Sequence, residues 1–198
     1  MKRLLLAFAF LALAIASRAD DFDLDRLGRL SIQVPAGWTL ANHAEGNVLT
    51  LILSPKNQAN ARGFLAVSPA RSALLSPENV ESKFAAVCQQ FAPKSVEKKA
   101  APQAYKLAQG HGTYAVFTDA RLVGKPSRPG DYKIVSPGII QLSDHIGIFA
   151  FLGADDATGP EMTALRAAVE SLRLTPPGPA TVSISLPDIS VGTSPSNP

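Results

Sequence analysis

From Leu27 onward, apolar and polar residues fall into short runs of two kinds, those that alternate and those that recur every three or four positions. Leu30, Ile32 and Val34 alternate with Ser31 and Gln33, which predicts a half-buried strand, and Pro35-Ala36-Gly37 stops it. Trp38, the only tryptophan, follows this turn and is expected to fold back onto the sheet. His43 is placed in a polar, solvent-facing loop, Asn42-His43-Ala44-Glu45. The nearly continuous apolar run from Asn47 to Leu53 predicts a second strand, closed by Ser54-Pro55-Lys56-Asn57, and Gly63 to Val67 predicts a third that pairs with it as a hairpin.

The period then changes. Ser76-Pro77-Glu78 has the composition of a helix start, a capping hydroxyl, a proline at the first helical position and an acid in the first turn. Val80, Phe84, Val87, Cys88 and Phe91 follow at steps that share one helical face, so a helix is predicted up to about Phe91. A weak strand is expected around Ala104 to Leu107, then longer ones over Gly112 to Val123, Tyr132 to Leu142 and Ile146 to Gly153. Ser143-Asp144-His145 joins the last two, and Gly124 to Gly130, with two prolines, reads as an exposed loop. A closing helix is predicted from the capping signals of Thr158-Gly-Pro-Glu161, with Met162, Leu165, Val169 and Leu172 on one face up to Arg173. Strands, helix, strands, helix, without regular βαβ alternation, predict an α+β domain with a mostly antiparallel sheet covered by helices. Val80, Phe84, Leu165 and Val169 are expected in its core.

The two ends differ from this pattern. Met1-Lys2-Arg3 followed by an unbroken apolar run from Leu4 to Ile15 is too short to span a bilayer, which takes roughly 20 residues. It reads as a signal peptide over residues 1–19, with small residues at Ser17 and Ala19 before Asp20, and a cut after Ala16 also allowed. No cysteine lies near the cut to take a lipid. The mature chain is therefore expected to be periplasmic or secreted, without a stable membrane span. Residues 20–175 form one domain of ordinary size, and residues 176–198, rich in Pro, Ser and Gly, a flexible tail. Within that tail Val182, Ile184 and Leu186 alternate with other residues, as in a strand that could add to its own sheet or a partner's edge.

Charge changes once the export segment is set aside. Three of the 19 Lys and Arg lie in residues 1–19 and none of the 16 acids does, so 16 cations balance 16 anions in the remainder. The basic footprint that nucleic acid requires is absent, and no nucleic-acid partner is expected. With one cysteine, Cys88, the chain has no intramolecular disulfide, and stability rests on the core.

The order of these elements, with Val34-Pro35-Ala36-Gly37-Trp38 after the first strand, the Ser-Pro-Glu helix start and a closing helix ending Val-Glu-Ser-Leu, resembles the PsbP/Mog1-like group, including its DcrB-like exported bacterial members. The resemblance covers most of residues 27–174. It implies an α/β/α sandwich, a central antiparallel sheet with helices on both faces, and members that act mainly by binding other proteins. It offers no shared catalytic motif to carry over.

The chain holds no G-x-S-x-G elbow, P-loop or Gly-rich dinucleotide pattern, and no cofactor is expected. The spacing of His43, His111 and His145 fits no compact metal site. His111 lies between two glycines that would let backbone approach a ligand, and Asp144 beside His145 would orient its imidazole. Cys88 sits on an apolar helical face and is expected to be buried. Asp155-Asp156 reads as a turn whose charge favours the following helix N-terminus. Lys125, Arg128 and Tyr132 mark a candidate interaction surface, because loops carry binding and exposed Arg and Tyr are frequent anchors. The resulting expectation is a non-catalytic module that binds a protein or envelope component. Two alternatives stay open, a small hydrolase with a fold-assembled Ser/His/Asp site and a small-ligand carrier with an apolar cavity between sheet and helix.

Overall fold

The computed structural model describes residues 18–69 and 77–178. The expected export segment, apart from Arg18 and Ala19, and the tail strand Val182 to Leu186 lie outside the described residues, as does the expected cap Ser76.

The main body is a large antiparallel sheet built from β3 (Trp38–Glu45), β4 (Val48–Pro55), β5 (Arg62–Pro69), β6 (Gln103–Ala104), β7 (His111–Tyr114), β8 (Phe117–Thr118), β9 (Ile134–Ser143) and β10 (Ile146–Ala154). Its order is β3-β4-β5-β10-β9-β7-β6, with β8 also paired to β9. A three-stranded sheet, β1 (Arg18–Asp23), β2 (Arg29–Val34) and β11 (Arg173–Thr175), packs beside it with β2 in the middle. Two helices, α1 (Pro77–Phe91) and α2 (Pro160–Glu170), complete an α+β architecture.

Alternation along β9 distributes two cores. Ile134, Ile140 and Leu142 enter a large cluster with Leu51, Leu53, Leu65, Ile148 and Leu152, which α2 closes with Met162, Leu165, Ala168 and Val169. Val135 and Ile139 contact a smaller cluster of Phe84, Cys88, Ala115 and Phe117 under α1. The helices therefore occupy opposite faces of the large sheet, as period-two side chains on a central strand require. Val80, Phe84, Leu165 and Val169 are all buried.

Four elements differ from the sequence expectations. The segment containing His43 is strand β3 rather than a loop, and β1 begins at Arg18, inside the expected export segment. The expected strand from Gly112 to Val123 is interrupted. Ala115 N–H donates to Pro137 O, but Pro137 has no N–H to return the bond, so the ladder breaks there and resumes at Phe117 opposite Val135. Beyond Thr118 the chain turns through Asp119 to Lys125. The last helix stops at Glu170 instead of Arg173. Ser171 ends it by donating Oγ–H to Ala168 O while accepting Gln33 N–H, and this directs Arg173–Thr175 into the small sheet. Its N-cap is Gly159, without a side-chain cap bond, and Asp156 binds Thr158 N–H just ahead of it.

Candidate functional site

The C-terminal end of α1 meets one end of the central strands of the large sheet at a cleft of about 460 Å³. Its apolar part comes from Phe91 at the end of α1, Phe117 on β8, Val135 on β9 and Phe151 on β10. Phe91 stacks with Phe117 at 6.1 Å between centroids and lies 5.9 Å from Phe151, within the range of favourable aromatic pairs. Its polar rim carries Lys94, Asp119, Arg121, Asp131 and Tyr132.

One wall is held by the segment after α1. Ala92-Pro93-Lys94 makes a single 3-10 turn, and buried Ser95 closes it, donating Oγ–H to Ala92 O and accepting Lys98 N–H. Val96 N–H donates to Thr118 O and Ala120 N–H to Lys94 O, which ties this segment to β8. The Glu97 carboxylate accepts both N–H and Oγ–H of Thr118. Burial works to raise the Glu97 pKa, but the hydrogen bonds it accepts, the two from Thr118 first and then those from its own backbone and Ser95, together hold the carboxyl below its ordinary value.

The opposite wall is the 119–132 connection. Arg121 folds back onto Asp119, Nη2 to Oδ2 at 2.6 Å, and the hydrogen bonds from the guanidinium hold the Asp119 carboxyl below its ordinary value. Asp155 fastens the rest, accepting Ser127 Oγ–H and Asn60 Nδ2–H, while the same Asn60 takes Gly130 N–H on its Oδ1. Tyr132 lies across Gly153, where a Cβ would come within 2.4 Å of the ring, so a glycine is required beneath it. Burial pushes the Tyr132 phenol above its ordinary pKa.

Chemically the cleft offers aromatic faces below and balanced charge above, two cations against two carboxylates. It suits a neutral apolar or aromatic group with a polar end within reach of Tyr132. Among the described residues Ser95 is the one serine that lines it, and that hydroxyl is already engaged in two hydrogen bonds. Half-exposed Ile52, Phe64 and Phe149 continue the same sheet face from Phe151 toward β4.

Of the residues singled out in the sequence, only Tyr132 lines this cleft; Lys125 and Arg128 are exposed on the same connection. His111, Asp144 and His145 gather at one end of the sheet, because His111 pairs with Gln141 on β9 and the other two form the β9–β10 turn. All three are exposed. No side-chain hydrogen bond joins Asp144 to His145 among the described residues; the turn is instead closed by His145 N–H donating to Ser143 Oγ. The glycines flanking His111 serve the sheet itself. A Cβ at Gly110 would strike Gln141 O at 2.1 Å, and one at Gly112 would meet the Tyr105 ring. Among the described residues no three His, Cys, Asp or Glu side chains are placed to hold a metal ion, and no helix is long and apolar enough to cross a membrane. Cys88 is buried, and that burial raises its thiol pKa.

Sequence reasoning missed the aromatic cleft. The spacing places Phe91 on a core face and Phe117 in a long strand; the pairing of β8 and β10 with β9 and the end of α1 bring them together with Phe151. No family model matches the chain, and no curated protein matches it significantly.

Proposed function

We propose that this chain is an exported, non-catalytic binding module that seats an apolar or aromatic group of a protein or envelope partner in the cleft at the end of α1. The observation that carries this reading is the aromatic floor of Phe91, Phe117 and Phe151 beneath an open, charge-balanced rim. Aromatic anchors in pockets supply most of the binding energy at protein interfaces, and a rim of compensated charge sets orientation at little cost. The Lys125 and Arg128 side chains on the adjoining loop extend the contact surface. Export rests on the charged start and the apolar run of residues 4–15. The PsbP/Mog1-like resemblance supports the same reading, since helices on opposite faces of an antiparallel sheet are the layout it implies and its members act by binding proteins.

The test is affinity capture from the native envelope with the mature chain, its Gly124–Tyr132 loop replaced by a Gly/Ser linker, and a Tyr132→Ala variant. A partner retained by the parent and lost from both variants supports the reading. Retention unchanged in both contradicts it.

The cleft volume favours a second reading, a small-ligand carrier, because pockets for small molecules span roughly 300–1,000 Å³. Mass spectrometry of organic extracts from the natively purified chain distinguishes the two. A stoichiometric compound absent from the Tyr132→Ala variant assigns the cleft to a small ligand.

A further inference from the structure

Strand β3 is the outer strand of the large sheet, and its whole length from Ala41 to Glu45 is exposed on both faces. The polarity of its backbone follows from its pairing. Gly46-Asn47 is a two-residue turn, with Gly46 at φ 55°, so the flanking pair Glu45/Val48 is hydrogen-bonded. At the other end Lys56 N–H donates to Gly37 O. Alternate pairs between these ends bond in the same way, so Thr39, Ala41 and His43 direct their N–H and C=O toward β4. Leu40, Asn42 and Ala44 direct theirs outward, and among the described residues no hydrogen bond reaches them.

Natural edge strands are usually protected by lysine, proline, a bulge or a covering segment. Trp38–Glu45 has no Lys and no Pro, and its register with β4 runs without a shift over all eight pairs. Such an edge is built to accept another strand.

We infer that β3 is the contact through which two copies of this chain pair, antiparallel and about a twofold axis at Ala41, to form one continuous sheet. Outward amides pair only with outward amides, so the register must place even-numbered residues opposite even-numbered ones. Centring on Ala41 sets Leu40 against Asn42 of the second copy and Trp38 against its Ala44, a large side chain over a small one. It also sets Glu45 against Gly37 of the second copy. Gly37 has no side chain, a Cβ there would meet nothing within 4 Å, and Lys56 is its neighbour on the next strand, on the same face. Glu45 of each copy therefore reaches across Gly37 to Lys56 of the other. Among the described residues neither Glu45 nor Lys56 has an ion-pair partner within its own chain. Centring on Asn42 instead would set Glu45 against Thr39, where no cation is available, so charge selects the first register.

The test is sedimentation velocity over a concentration series on the chain purified from its own host, with circular dichroism as a check on folding. The parent is expected to dimerise with concentration. Asn42→Pro removes an outward N–H and leaves the β4 ladder bonds in place, so it is expected to give a folded monomer. Glu45→Lys is expected to raise the dimer dissociation constant roughly tenfold or more, and Glu45→Lys combined with Lys56→Glu to restore it. A parent monomeric throughout the series overturns the proposal, as does a dimer insensitive to Asn42→Pro. A dimer lost on removing residues 179–198 also overturns it, and assigns the association to the tail.

Discussion

Tyr105 shows how single residues shape this molecule. Its buried ring lies 4.6 Å from Tyr114, which also stacks under the Arg166 guanidinium, 4.9 Å from the ring centre, and donates its hydroxyl to Gln103 Oε1. It fits only because Gly112 and Gly138 lack side chains, and a Cβ at Gly138 would come within 2.6 Å of the Tyr105 oxygen. Burial keeps its phenol protonated, with its pKa far above the ordinary value. Gly138→Ala is therefore expected to destabilise the fold by about 1–3 kcal/mol through overpacking. Adding Tyr105→Leu should recover part of that loss, a non-additivity that urea titrations of the four cycle members would measure. Glu97 carries the clearest pH signature near the cleft. Its folded-state pKa is depressed, so its stabilisation is present above the ordinary carboxylate range, about pH 4.3, and is lost as pH falls through the lower folded value. Glu97→Gln should flatten that part of the acid-unfolding curve, read as the slope of stability against pH, while leaving neutral-pH circular dichroism unchanged.

Elements were legible where they bury apolar side chains of their own in a core. β2, β4, β5, β9, β10 and both helices each have an apolar stripe of the right period, and both helix faces point inward as their spacing predicts. Phe84→Ala under α1 and Leu165→Ala under α2 are thus expected to cost about 2–5 kcal/mol each, measured by chemical denaturation. The missed elements share a different physics. β3 alternates only at its start, where Trp38 and Leu40 are half-buried, and is exposed on both sides from Ala41 to Glu45, so it carries no apolar stripe along its length. β1 carries Asp20, Asp21 and Asp23 and is held by pairing with β2 over six positions rather than by its own apolar pattern. Leu172, just ahead of β11, continues the spacing of Leu165 and Val169 on α2, and only the Ser171 contacts with Ala168 and Gln33 end the helix and redirect the chain. The break between β7 and β8 depends on Pro137, a residue distant in sequence.

At the scale of the whole molecule, the turn that takes the chain away from β9 beyond Asp119, closed by Leu122 N–H on Asp119 O, leaves open the space that Phe91, Phe117 and Phe151 line. The cleft was not legible in the sequence since it is assembled from α1, β8, β9, β10 and the 119–132 connection, with Asp155 joining that connection to the sheet end. Only Tyr132 could be chosen beforehand, as an exposed aromatic on a loop. The β3 edge and the cleft lie on different parts of the large sheet, so partner capture and self-association can be altered independently. Glu45→Lys should leave capture unchanged, and Tyr132→Ala should leave sedimentation unchanged. The most direct test of the central claim is site-specific photocrosslinking in the native host, with p-benzoylphenylalanine replacing Tyr132 in the cleft or Val48 on the far hairpin. A discrete adduct from position 132 that is absent from position 48 is the predicted result; no adduct at 132, or the same adduct from both positions, would contradict it.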